Sequence, residues 1–479
     1  MTSALTACGS GVDDDVTRIA FIGSPADIDA NGVRLAPAGQ HLRAATAEGL
    51  VGLNQVGEVV PALAERWIVT DDGMSYIFRL RNSDWSDGTA LTSENVKSAL
   101  ERNIEQLRGT SLGVDLSIIS EIRAMTGRVI EIRLKSPMPQ FLQLFAQPEL
   151  GLRRNGAGTG PMLATASDGA MMLSAASPEQ RGMPMREDWE QSFRQVRIES
   201  MPAEQAADRF EAGEADAVFN GRLLSLPVAD TGPLSRGTVR LDPVFGLFGL
   251  QINNSNGPLA ERSLREAIAM GIDRDTLLQR FSLGGWVPST RIVPTDLPGR
   301  ASTASERWLD QPFDARRAEA KRRIIGWRAS NLSATVRLSI AMPDSPGTDM
   351  LFAELQSDFE EIGVTLEMAP PGARGDLELV DRLARYADDR WFLNQFNCSL
   401  KRGMCSPEAD VLARSAISET DPQIRTELLA QAEQQMLESQ IYIPIGAPIR
   451  WSLIRGGIDG FTENNWGLHP LFPLASRPI

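Results

Sequence analysis

Histidine is scarce: His41 and His469 are the only two in 479 residues, and they lie far apart in the chain. Cysteine is scarce too, with three. Together they supply too few ligands for a dedicated zinc or copper site, and little material for a Ser–His–Asp or Cys–His centre. The chain also lacks G-x-S-x-G, H-E-x-x-H and a Walker loop. No internal run approaches the ~20 apolar residues that span a bilayer. Positive charge is in deficit, 48 lysines and arginines against 62 aspartates and glutamates, for a net charge of −14. That balance disfavours nucleic acid and anionic membrane surfaces as partners, and leans weakly toward a cationic ligand. Disorder-like blocks are missing as well. With 42% apolar and 23% charged residues the composition is globular, and the length allows up to about three domains.

What is present reads as strands interleaved with helices. Residues 18–23 (RIAFIG) form a short apolar strand, followed by a loop carrying Pro25, Asp27, Asp29 and Asn31. Asp72 and Gly73 supply a tight hairpin turn, after which Tyr76, Phe78 and Leu80 alternate onto one face. Ser93 is the candidate N-cap of a helix with a Val96, Ala99, Leu100, Ile104 stripe. The glycine-rich run 156–161 has neither the P-loop lysine nor G-x-G-x-x-G spacing, so it reads as a turn. From Asn253 to Gly285 a polar turn leads into an amphipathic helix. Leu264, Ala267, Ile268 and Gly271 fall at i, i+3, i+4 and i+7, with Arg262, Arg265 and Glu266 opposite. Asp273 is placed to cap a second helix, and Asp314 a third. A strand at 335–341, a helix at 350–362 ending at Gly363 and a strand at 364–368 make a β–α–β unit, which argues for a partly parallel sheet. Asp421 and Pro422 start a long helix, Asp as cap and Pro at the first position. Phe245 and Phe248 either face a cleft or sit in a core.

One long string, LAERWIVTDDGMSYIFRLRNSDWSDGTALTSENVKSALER, is similar to the signature LA-x-x-W-x-x-x-x-D-G-x-x-Y-x-F-x-L-R…F/W-x-D-G-x-x-x-T-x-x-D-V of the family 5 extracellular solute-binding proteins. These are the dipeptide-, oligopeptide- and nickel-binding subunits of ABC importers. The order N-x(n)-P-L-x-x-x-x-x-R-x-A-I-x-x-x-I-D-R-x-x-L beginning at Asn253 resembles that family's passage into its second lobe. Asn95 stands where the family usually has Asp, and Met162 where it has an aromatic residue. The resemblance covers nearly the whole chain. It implies an α/β, two-lobed periplasmic-binding-protein-like clamp (cluster C type) with an extra α/β subdomain inserted in the first lobe. The expected division is a tail at 1–15, first lobe at 16–50, 158–254 and 446–479, inserted subdomain at 51–157, and second lobe at 255–445. Hinges are expected at Asn253 to Pro258 and Ile441 to Pro448.

The same resemblance implies a monomeric binding protein, not an enzyme. It would need no cofactor or metal, capture a small molecule or peptide, and serve an ABC permease in the membrane. An enzyme acting on peptide-like substrates, or a sensory or chaperone-like binding protein, remains the alternative. Leu5 to Cys8 resembles a lipobox, so Cys8 is the expected lipid anchor on the periplasmic or outer face of the cytoplasmic membrane. Only Met1 to Ala4 precede it, which reads as a truncated or misassigned start; the alternative is a free cysteine in a tail. An exported location also implies a disulfide between Cys398 and Cys405. The family's ligand segment W-x-A-D-Y-x-D-P corresponds to residues 385–391, RYADDRW, without the leading Trp, one spacer and the Pro. Asp388 aligns with the aspartate that pairs with a ligand's α-amino group. Tyr386, Asp389 and Trp391, with Phe245 and Phe248, complete the expected ligand set. The other reading of the segment is a charged turn in which Asp388 and Asp389 are solvated or pair locally with Arg385 and Arg390.

Overall fold

The computed structural model describes residues 15–85, 88–229, 237–298, 305–331 and 335–477. Cys8 and its lipobox lie outside the described residues. Three sheets organise the chain. A seven-stranded sheet runs in the order Met162–Ser167, Ala170–Ala175, Gln195–Met201, Val16–Ile22, Ala217–Arg222, Arg450–Ile454, Val239–Asp242. Val16–Ile22 is parallel to both of its neighbours, and its apolar residues 19–21 are buried in succession, as expected for a strand covered on both faces. A five-stranded sheet runs Val364–Met368, Val336–Ala341, Leu377–Leu383, Gly246–Ile252, Tyr442–Gly446, its first three strands parallel. The β–α–β reading of 335–368 is therefore the parallel half of this sheet.

The third sheet, antiparallel, is the hairpin Ala64–Val69 and Ser75–Leu80 extended by Val129–Leu134 and Ile119–Met125. Tyr76, Phe78 and Leu80 point to one buried face, as their alternation requires, and meet Val96, Ala99 and Leu100 of the helix Ser93–Gln106. That helix begins one residue earlier than expected. Thr92 is the cap, in a reciprocal box with Asn95: the Asn95 N–H donates to Thr92 Oγ1, and the Thr92 N–H to Asn95 Oδ1 at 3.0 Å. Asn95 also donates to the Ala90 carbonyl, a bond that the family's Asp cannot make. Ser93 instead ties the helix to the sheet, donating to the carbonyls of Met125 and Gly127.

Further along, Arg262–Gly271 is the expected helix with Leu264, Ala267, Ile268 and Gly271 buried. Arg265 departs from the expected exposed face. It is buried, with its guanidinium donating to the carbonyls of Leu259 and Ser439, so its charge is carried by backbone acceptors. No α-helix follows Asp273; turns and the 3-10 segment Gln279–Phe281 take its place. Phe313–Ser330 is capped at Pro312, leaving Asp314 inside the first turn. Asp421 caps Pro422–Ser439 as expected, accepting from the N–H groups of Gln423 and Ile424.

The crossing between the two large sheets also differs from expectation. Gly246–Ile252 already pairs with Leu377–Leu383 and Tyr442–Gly446, so the chain changes sheets at residues 243–245, one strand before Asn253. Gly246 opens that strand where a Cβ would lie 2.1 Å from the Arg382 carbonyl oxygen, a separation no side chain tolerates. The return crossing lies between Tyr442–Gly446 and Arg450–Ile454, at 447–449, at the far end of the expected Ile441 to Pro448 stretch and one residue past it.

Candidate functional site

The two crossings leave a cleft between the seven-stranded and five-stranded sheets. Two adjoining cavities occupy it, about 270 Å³ and about 730 Å³, and they share walls at Pro37, Asn220, Arg222, Asp381, Arg382 and Arg402. The first sheet supplies Asn220 and Arg222 through a bulge. Its register slips between Val218 and Gly221, and Asn220 takes the left-handed conformation (φ 65°) that Asn tolerates better than most residues. The Asn220 amide donates to the Ile22 carbonyl, which holds the bulge to the neighbouring strand. Gly221 is required there, because a Cβ would overlap the Trp451 ring. The second sheet supplies Asp381 and Arg382 at the end of Leu377–Leu383.

Arg402 comes from an eight-residue loop closed by the Cys398–Cys405 disulfide, Cα to Cα 5.2 Å. The expected pairing is therefore present. The loop is pinned on both sides: the Met404 N–H donates to the Ile252 carbonyl at 2.7 Å, and the Cys398 N–H to Asp410 at 2.9 Å.

Charge in the cleft is unevenly neutralised. Arg450 pairs with Asp381 at 2.7 Å, and Arg385 with Glu149 at 3.1 Å. Arg382 has a buried Nη1 with no hydrogen-bond partner. Among the described residues the Arg402 side chain makes one hydrogen bond, to Gln395 at 3.4 Å. Burial, then Arg382 and Arg34, push the Arg402 guanidinium down to about 10, with Glu378 opposing; it stays charged at neutral pH. Burial also holds Arg382 below the usual arginine range. On the wall of the smaller cavity, burial pushes the Asp115 carboxyl up to about 8 although the Asn394 amide donates to it at 2.7 Å. At neutral pH it is chiefly a neutral acid.

The two histidines, distant in sequence, meet here with ring centroids 6.2 Å apart. His41 is pushed down to about 3 by burial and by His469. One of its ring nitrogens is 2.7 Å from the Pro37 carbonyl, and the other accepts from the His469 N–H. With both nitrogens engaged by backbone, His41 has nothing left for proton transfer.

Of the residues expected to bind ligand, Trp391 alone lines the cleft. Tyr386 and Phe248 are fully buried, Tyr386 beside the inserted subdomain and Phe248 in the core of the second sheet. Phe245 is half-buried against the former core. Asp388 caps the helix Asp389–Asn394, accepting from the Arg390 N–H at 2.9 Å and pairing with its Nε at 3.4 Å. Asp388 and Asp389 border a separate pocket of about 210 Å³ with Arg425. The local pairing weighed as the alternative is thus the arrangement present for Asp388. The sequence reading missed Arg222, Asp381, Arg382 and Arg402. For Arg402 there was one signal, its place between two cysteines expected to pair.

Two α/β sheets linked by two crossings around a cleft define a two-lobed solute-binding clamp. Residues 58–400 match the family model described as bacterial extracellular solute-binding proteins, family 5 middle, and the chain belongs to that family. Its members bind solutes and are not enzymes; this chain is a substrate-binding protein of the ABC-importer class. Among curated relatives, the probable deoxycholate-binding periplasmic protein YgiS of Escherichia coli is 24% identical over 87% of this chain and 85% of its own. The periplasmic oligopeptide-binding protein OppA of Salmonella typhimurium is 22% identical over 87% and 84%. Among solved structures, Haemophilus influenzae OppA in complex with RPPGFSPFR superposes with a TM-score of 0.81 at 17% identity, covering 97% of this chain and all of that one. Among the described residues no helix is long and apolar enough to cross a membrane.

Proposed function

We propose that this protein captures a small peptide or peptide-like solute between its lobes, closes by rotation about residues 243–245 and 447–449, and presents the closed form to a membrane permease. The observation that carries this reading is the shared wall of the two cavities. Asn220 and Arg222 enter it from the first lobe, and Asp381, Arg382 and Arg402 from the second. A solute touching both sets stabilises the closed state by its differential contacts. The larger cavity, about 730 Å³, has the size of an ordinary small-molecule site. Relatives named for oligopeptides and for a bile acid support a peptide-like or organic-acid cargo. Their periplasmic names support export, with Cys8 as the anchor.

Native mass spectrometry of the purified protein, before and after gentle unfolding, identifies any solute retained from the cell. Small-angle scattering with and without that solute tests closure. A released small molecule whose re-addition contracts the protein supports the clamp. A protein whose dimensions never respond to any solute refutes it.

A further inference from the structure

We infer that the cargo carries at least two negative charges and is gripped across the cleft by Arg222 of one lobe and Arg382 and Arg402 of the other. This rests on the clamp reading and specifies its substrate class. It runs against the bulk composition, whose net charge of −14 leans toward a cationic ligand.

The charge count on the cleft wall decides it. Arg450 and Arg385 are spoken for by Asp381 and Glu149. Arg222, Arg382 and Arg402 have no ion pair among the described residues. The acids of the larger cavity do not balance them. Asp27 is turned inward to its own turn, accepting from the Ser24 N–H and hydroxyl. Asp344 is exposed; Glu378, 3.7 Å from Arg374, acts on Arg382 and Arg402 through space but is in ion-pair contact with neither among the described residues. In the smaller cavity Asp115 is chiefly protonated at neutral pH.

A buried guanidinium nitrogen without an acceptor, as at Arg382 Nη1, is costly, and on a cavity wall a water, an ion or a ligand can supply the acceptor. Guanidinium forks match carboxylate and phosphate oxygens two at a time. Three of them around one space call for more than one anionic group. The placement also couples charge to motion. Without an anion, like charges on the two lobes oppose closure; with one between them, each lobe gains an attractive contact only when the cleft shuts.

The test is isothermal titration calorimetry on the full chain with citrate, glucose 6-phosphate, Glu-Glu, tri-alanine and tri-lysine, at low and high salt. Wild type is compared with Arg382→Gln and Arg402→Gln. Arg108→Gln, exposed on the inserted subdomain, is the control. At least one anion is expected to bind, more weakly at high salt, and to lose about tenfold or more in affinity in either cleft variant but not in the control. Citrate over the sugar phosphate assigns carboxylates; the reverse assigns a phosphate. Far-ultraviolet circular dichroism establishes that the variants are folded. No heat from any anion, or a peptide without acidic groups binding equally well to wild type and to Arg402→Gln, overturns the inference. The clamp reading survives that result if any solute still contracts the protein in scattering, and falls only if none does.

Discussion

Reducing the Cys398–Cys405 disulfide should weaken anion binding through Arg402, and only through Arg402. The bridge spans a sequence separation of 7, and closing so short a loop restricts the unfolded chain by roughly 2–2.5 kcal/mol in the chain-entropy account. In a chain of this size that is a melting shift of at most a few degrees. The local effect is larger in proportion. Arg402 has one weak side-chain contact, to Gln395 at 3.4 Å, so the disulfide and the two backbone bonds flanking the loop are what aim it. Freed from the bridge, the backbone that carries Arg402 regains freedom that binding must remove again, about 1–2 kcal/mol for each residue re-ordered, or roughly five- to thirtyfold in affinity. The assay is a cycle with the tightest-binding anion from calorimetry: wild type and Arg402→Gln, each oxidised and after reduction with a phosphine. Wild type should lose roughly five- to thirtyfold on reduction, and the variant, already weakened, almost nothing. Equal losses in both would mean that the loop acts on the cleft by some route other than Arg402. No loss in wild type would mean that the bridge does not position it at all.

Asp115 should make stability fall with rising pH. Its folded pKa, about 8, exceeds the unfolded value near 3.9, so between those limits the native state holds the extra proton and unfolding releases it. The advantage is complete below about pH 4 and is lost as pH climbs to about 8. His41, held near 3 in the fold, contributes the opposite slope up to about pH 6.5, so urea melts should show the fall chiefly between about pH 6.5 and 8, and Asp115→Asn should flatten it there. Glu433→Gln should destabilise by about 3–5 kcal/mol in the same melts, since the Arg291 guanidinium, itself buried, would keep its charge and lose its only counter-ion among the described residues. Gly246→Ala should push the first crossing strand off the Arg382 carbonyl, lowering both melting temperature and anion affinity. Gly284→Ala, with open space around its Cβ, should leave the melting temperature within about 2 °C of wild type.

Much of the fold was legible because local period and cap chemistry agreed with tertiary burial. The hairpin before Tyr76, the stripe on Arg262–Gly271 and the Asp421 cap are of this kind. Where lobe membership mattered, period was silent. Gly246–Ile252 is buried at every position, so no alternation says which sheet it joins; the close approach of Gly246 to the neighbouring strand decides, and that is a tertiary fact. Phe248 followed the same strand into the second-lobe core. Arg265 was misread because an arginine on a helix reads as exposed unless backbone acceptors wait for it, and of its acceptors Leu259 lies in the turn just before the helix while Ser439 comes from the end of a distant helix.

The site was hidden for a different reason. A motif reading carries a role forward by alignment, and Asp388 held the aligned position. Local pairing with Arg390 was the competing reading of the same residues; what it did not include is that Arg390, two residues on, offers its N–H as well as its guanidinium, turning Asp388 into a helix cap. Once Asp388 is spent locally, the acid that an amine would need is gone from that point of the cleft. The unpaired side chains left facing the space are arginines 222, 382 and 402, gathered from a bulge, a strand end and a disulfide loop. Charge complementarity follows what is unpaired at the cavity wall, not the total over the chain. An acidic protein can thus present a cationic grip, its surface charge repelling free anions everywhere except at the cleft.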